Sequence, residues 1–176
     1  MTDITITQTL KQDDLAKAGL YNLVIGRSPI LLIIYGTLAL SAIITFVNPF
    51  NAYRETENTS YNIFVYAVAI IAIPLLLWRS IKKASKKAFE KNARFYTNVS
   101  YTFTHSSYKS EGDDFSTTYK WEDLYKIKET KKWFFIYISK NQAVILDKSQ
   151  IDLLQQTEMK NIFNSVQSKI KVSLIK

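Results

Sequence analysis

Residues 28–47 read SPILLIIYGTLALSAIITFV, twenty positions without one charged side chain. At roughly 1.5 Å per residue, a helix of this length covers about 30 Å, the thickness of a bilayer's hydrocarbon core. Toward the carboxy terminus a second uncharged block follows, residues 61–78, YNIFVYAVAIIAIPLLLW. It lies near the short end of the spanning range and contains Pro74, which in a membrane helix produces a kink rather than a break. Tyr61, Tyr66 and Trp78 stand where aromatic rings anchor a span at headgroup level. Apolar residues gathered in two blocks, rather than spread at helical or strand period, predict a two-helix transmembrane hairpin and not an ordinary globular domain. Two buried core helices are the competing assignment, disfavoured because core helices of this length rarely lack every charge.

The charge balance supports the same layout. The chain carries 23 Lys and Arg against 15 Asp and Glu, a formal net charge of +8. Most of the excess sits in residues 79–96, RSIKKASKKAFEKNARFY, where seven basic groups face Glu90 alone. The stretch 48–62 offers only Arg54. Basic residues mark the cytoplasmic side, so 48–62 is expected to face away from the cytoplasm and both termini to lie inside. Basic excess tied to a membrane boundary also argues against nucleic acid as a partner.

Stepping about 100° per residue around a helix places Arg79, Lys82, Lys83, Lys86, Lys87, Lys91 and Arg94 on one face. Ile81, Ala84, Ala88, Phe89 and Phe95 fall on the other. Two readings fit. The basic face contacts anionic lipid headgroups, or it serves only as the topology determinant while the apolar face packs on the domain that follows.

From residue 97 the texture becomes β-type. Val99, Tyr101 and Phe103 alternate with Ser100, Thr102 and Thr104, Ser110 to Asp114 reads as a turn, and strands are expected over 115–121, 124–130, 133–139 and 143–147. Thr157 reads as a helix N-cap, followed by Met159, Ile162, Phe163, Val166 and Ile170 at three- and four-residue spacing. Ile4-Thr5-Ile6-Thr7 also alternates and can lend a strand to the same sheet. The expected fold is an α+β membrane protein. A two-helix transmembrane hairpin carries a small antiparallel β domain, a pleckstrin-homology-like (PH-like) partial barrel closed by a C-terminal amphipathic helix. Its divisions are 1–27, an amino-terminal strand and short helix; 28–78, the hairpin; 79–96, a basic juxtamembrane helix; and 97–176, the β domain.

The run Tyr119-Lys120-Trp121-Glu122-Asp123-Leu124-Tyr125-Lys126-Ile127-Lys128-Glu129-Thr130, with Trp133-Phe134-Phe135-Ile136-Tyr137-Ile138-Ser139 and Ala143-Val144-Ile145-Leu146-Asp147-Lys148, resembles the YcxB-like family over nearly the whole chain. The motif positions are Tyr119, Trp121, Asp123, Glu129, Phe134 and Tyr137, read as mainly structural. One departure is Asp147 before Lys148, where the family more often carries proline. The resemblance implies a bacterial inner-membrane protein with a domain similar to bacterial pleckstrin-homology modules, and no established chemistry.

The residues themselves offer little chemistry. With 0 Cys and 1 His there is no thiol nucleophile and no zinc set. Four scattered glycines make no phosphate cradle. Neither apolar block holds an acid or base for ion coupling. No catalytic residue, cofactor or metal is therefore expected. Trp121 reads as a core anchor. Lys131-Lys132-Trp133, at a hairpin tip, reads either as a lipid or partner contact or as a solvated turn. The expected function is a non-enzymatic, membrane-anchored binding module that recognises lipid or protein at the cytoplasmic membrane, with an immunity role against a membrane-acting toxin as one form of it. Anionic lipids and a protein partner or second copy are the expected partners. The alternative is an oligomeric holin- or channel-like protein using the stripe Thr37, Ser41, Thr45, which equally suits hydrogen bonds between packed helices.

Overall fold

The computed structural model describes residues 3–22, 30–47 and 57–175, with some side chains of the second and third helices outside that description. Contacts divide the chain into two compact units. One combines Met1–Ala18 with Lys87–Lys176, and the other is Gly19–Lys86. The amino-terminal strand thus belongs with the carboxy-terminal domain, although residues 19–86 separate them in sequence.

The β unit consists of two four-stranded sheets. In the first, β1 (Ile4–Gln8), β2 (Val99–Phe103), β3 (Ser107–Gly112) and β4 (Phe115–Lys120) pair antiparallel in sequence order. The second has the order β7-β6-β5-β8, from β5 (Lys126–Glu129), β6 (Trp133–Tyr137), β7 (Ala143–Asp147) and the short β8 (Lys171–Ser173), which runs parallel to β5. Alternation makes the first sheet two-faced. Ile4, Ile6, Val99, Tyr101 and Phe103 are buried, while outward hydroxyls pair across the strands at 3.1 Å for Thr5 with Thr102 and 2.9 Å for Thr7 with Ser100.

Between the sheets lies an aromatic core. Phe163 packs edge-on against Phe103, Trp121 and Phe134, with centroids 5.8, 6.1 and 5.7 Å away. Phe163 comes from α4 (Leu153–Ser165), which also buries Met159 and Ile162. This helix begins earlier than the expected Thr157. Asp152 is the N-cap, accepting from the Gln155 amide at 2.7 Å, and the Thr157 hydroxyl instead donates to the Leu153 carbonyl inside the helix.

A second difference lies in the stretch read as a turn, Ser110 to Asp114. It is mostly strand: β3 continues to Gly112, opposite Phe115, and only Asp113 and Asp114 turn. The reason is Gly112. A Cβ there would lie 2.3 Å from Phe115 Cε1, so the glycine leaves room for the ring to lie across the strand end. Gly112→Ala is expected to displace Phe115 and cost about 1–3 kcal/mol, measured as the shift in urea midpoint. An unchanged midpoint would mean that the ring does not depend on that space.

The two sheets are also joined along a seam. Gln8, buried at the end of β1, donates through Nε2 to the Ile145 carbonyl at 2.7 Å and accepts the Asp147 amide through Oε1 at 2.9 Å. A side-chain amide here substitutes for a backbone ladder between β1 and β7. Asn98, with φ 51°, turns the chain into β2, and its amide donates to Thr9 Oγ1 at 2.9 Å.

The helix α1 (Gln12–Tyr21) lies in the β unit up to Ala18; the other unit holds α2 (Ile30–Val47) and most of α3 (Glu57–Asn92), one 36-residue helix with Pro74 inside it whose residues from Lys87 onward count with the β unit. Among the described residues, no helix is long and apolar enough to cross a membrane. Of the two expected spans, residues 28–29 and a share of the side chains, those of Thr45, Tyr61 and Tyr66 among them, fall outside that description. Of what is described, α2 carries no charge over its 18 residues. Ile33, Leu40 and Ile43 on α2 and Val68, Ile70, Ile71, Leu75 and Leu76 on α3 are exposed.

Candidate functional site

The basic side chains proposed to touch lipid or a partner occupy two places. Arg79, Lys82, Lys83, Lys86, Lys87 and Lys91 are all exposed along the carboxy-terminal half of α3. Arg94 follows in a 3-10 turn (Ala93–Phe95), where it is committed locally. Its Nη1 lies 2.9 Å from Asp114 Oδ2, and its guanidinium sits 4.8 Å above the Phe95 ring. Both partners of that ion pair are more than half exposed, so it positions Arg94 more than it stabilises the fold.

Lys131 and Lys132 form the exposed tip between β5 and β6. Thr130 closes this turn, donating through both its amide and its hydroxyl to the Trp133 carbonyl at 2.8 and 2.9 Å. Trp133 is not available at that tip, contrary to the expectation from its place in the sequence. It is buried, at 8% exposure, as the first residue of β6, in an aromatic row with Phe135 and Tyr137. Both faces of β6 are covered, because Phe134 and Ile136 fill the core on the opposite side.

The remaining motif residues occupy different environments. Trp121, fully buried, opens a 3-10 turn (Trp121–Asp123) and donates through Nε1 to the Thr104 carbonyl at 2.9 Å. Asp123 is exposed in that turn, and Tyr119 packs at the margin of the core. Lys126 Nζ sits 4.5 Å from the Tyr137 ring centroid, a cation–π contact on the outer side of the second sheet. His105 lies at the surface with Nδ1 3.2 Å from Ser165 Oγ. Among the described residues, no three His, Asp or Glu side chains gather as a metal set.

Glu129 stands apart from these. Its side chain has no exposed surface, yet it meets Lys148 Nζ at 2.7 Å, Lys160 Nζ at 2.9 Å and the Ile175 amide at 2.8 Å. Burial alone would raise its pKa, but the hydrogen bonds from Lys148, Lys160 and Ile175 outweigh it and hold the carboxyl below its ordinary 4.5. One buried anion therefore joins β5, the turn after β7, α4 and the residues that follow β8. Asp147 supports Lys148 by accepting from the Ser149 amide and hydroxyl, and its own amide is the one bound by Gln8. A proline at 147 would have no amide to donate to Gln8.

Sequence reasoning also missed a cavity in the β unit of about 320 Å³, lined by Tyr101, Ser110, Phe115, Thr117, Tyr119, Ile138 and Val144, with Leu10, Leu15 and Tyr96 among the others. None of its lining residues is Lys, Arg, Asp or Glu. Burial raises the Tyr96 phenol and pushes Tyr101 up to about 12, the Gln8 side chain opposing, so the lining is uncharged near neutral pH. Beneath it, Tyr108 stacks between Tyr101 and Tyr119 at 6.2 and 6.1 Å. Burial holds the Tyr108 phenol well above 10, with Ser110 as its polar neighbour but without a hydrogen bond of good geometry. The alternation of Tyr101, Thr117 and Tyr119 was visible in the strands, but which inward positions stay unfilled depends on the angle between the sheets.

No curated protein and no solved structure matches the chain. Residues 103–163, about a third of the chain, run from the last residue of β2 to Phe163 of α4 and match the family described as YcxB-like protein; the chain carries a YcxB-like domain.

Proposed function

We propose that this protein is a non-enzymatic binding module held at the cytoplasmic face of a membrane by the hairpin segment. The observation that carries this reading is the pairing of β1 with β2. The strands on either side of Gly19–Lys86 are hydrogen-bonded neighbours, from Ile4↔Phe103 to Gln8↔Val99. Both ends of the inserted segment must then return to one compartment, which requires an even number of crossings. The uncharged α2 and the exposed leucines and isoleucines of α2 and α3 suit hydrocarbon rather than water. Seven basic groups within residues 79–96 suit a negatively charged inner leaflet, each near the surface contributing on the order of 1 kcal/mol. The PH-like reading of the domain draws support from two sheets of strands with a carboxy-terminal helix over the core.

The chain has 0 Cys, so single cysteines report topology cleanly. In intact cells an impermeant maleimide is expected to label Ala52→Cys and to spare Ser168→Cys until the membrane is opened. Labelling of Ser168→Cys from outside, or release of the protein by an alkaline carbonate wash, would overturn the reading.

A further inference from the structure

The cavity in the β unit is built rather than left over. On one side Phe115 lies across Gly112, a position where any larger residue would collide with the ring. Phe95 packs on Phe115 with centroids 4.7 Å apart, Arg94 covers Phe95, and Asp114, beside Phe115 in the chain, holds Arg94. The ion pair thus orients Arg94 over the outer side of this aromatic wall. The interior is apolar where Phe115, Ile138 and Val144 line it, and its polar groups are hydroxyls and side-chain amides.

The lining selects a ligand. No lining residue offers a counter-charge to an ionised head, whereas a hydroxyl or amide finds donors and acceptors at Ser110 and Thr117. At about 320 Å³ the space falls at the small end of the roughly 300–1,000 Å³ of small-molecule sites, too little for a two-chain lipid. We propose that this cavity binds a neutral, single-chain amphiphile, a short hydrocarbon body with one hydroxyl or amide head. This rests on the binding-module reading and names what the module holds. It does not depend on how many times the chain crosses a membrane.

The test is photolabelling of the full chain in lipid nanodiscs with a diazirine analogue of octanol, adducts being located by peptide mass spectrometry. Adducts are expected within residues 95–145 and are expected to be displaced by excess decanol. Displacement by monodecanoylglycerol as well supports a lipid-derived occupant, and displacement by decanol alone supports a soluble one. Filling the space with Thr117→Phe is expected to reduce these adducts about tenfold, the scale of one lost apolar anchor, with thermal unfolding unchanged. Should that variant fail to fold, Ser110→Leu gives the same measurement. The diazirine analogue of octanoate, with a charged head, is expected to label at least about tenfold less. Adducts confined to α2 and α3, adducts in 95–145 that neither competitor displaces, or equal labelling by alcohol and carboxylate would each overturn the proposal. Failure of the topology test above, with site-specific labelling intact, would remove the anchor and leave this site standing.

Discussion

A chain lacking residues 1–10 is expected not to fold its β unit at all. Ile4, Ile6 and Leu10 are at most 5% exposed, and burying each apolar side chain contributes about 1.5–3 kcal/mol, together roughly 5–9 kcal/mol as an upper bound. The stability of a whole domain is about 5–15 kcal/mol. Their loss also strips β2 of its ladder from Val99 to Phe103 and leaves the Ile145 carbonyl and Asp147 amide without Gln8. A fragment of residues 97–176 should therefore show no cooperative thermal transition by circular dichroism. A chain in which Ala18 is joined to Lys87 by a flexible Gly/Ser linker retains both halves of the compact unit and should show one. A cooperative transition in the 97–176 fragment would mean that the amino-terminal strand decorates the sheet instead of completing it.

Glu129→Gln should be the most damaging single substitution among the motif residues. It leaves two lysine ammonium groups facing a neutral amide in a site with no exposed carboxamide surface, and removing one partner of a buried pair costs about 3–5 kcal/mol. The pH dependence carries a definite sign. Because the folded pKa lies below 4.5, the carboxylate contributes stability that is fully present above the unfolded value and is lost as pH falls through the folded one. The native chain should lose stability on acidification below about 4.5. In Glu129→Gln that part of the slope should disappear while stability at neutral pH is already reduced. Urea midpoints measured from pH 7 down to pH 3 test both statements, and parallel curves for the two proteins would show that Glu129 is not the titrating group.

Much of this was legible in the residues, and the limits have physical causes. The alternation of Ile4 to Thr7 and Val99 to Thr104 identified strands with one buried face, because a side-chain period of two leaves a direct imprint. The stripe from Met159 through Ile162 and Phe163 identified the closing helix but neither of its ends: α4 is capped at Asp152 instead of Thr157 and ends at Ser165, so Val166 and Ile170 are buried in the turns beyond it. β8 is three residues long and parallel, too short for a pattern. Trp133 was misplaced because a tryptophan after two turn lysines looks exposed, and nothing local shows that β6 is covered on both faces. Glu129 was noted as a motif position, but its ion pairs reach 19 and 31 residues along the chain, beyond any local signal. The cavity left no imprint because its walls come from segments far apart in the chain, from Leu10 and Leu15 through Tyr101 and Phe115 to Val144.

The pairing of β1 with β2 also dictates an order of events during synthesis. Thr7 and its partner Ser100 are 93 residues apart, and Thr5 and Thr102 are 97 apart. At roughly 5–20 residues per second, the ribosome delivers the second strand some 5–20 s after the first. The inserted segment emerges in that interval, and all of it leaves the exit tunnel before the sheet can close. The amino-terminal strand waits unpaired until β2 emerges, so completion of the domain becomes a late step that follows synthesis of the whole inserted segment.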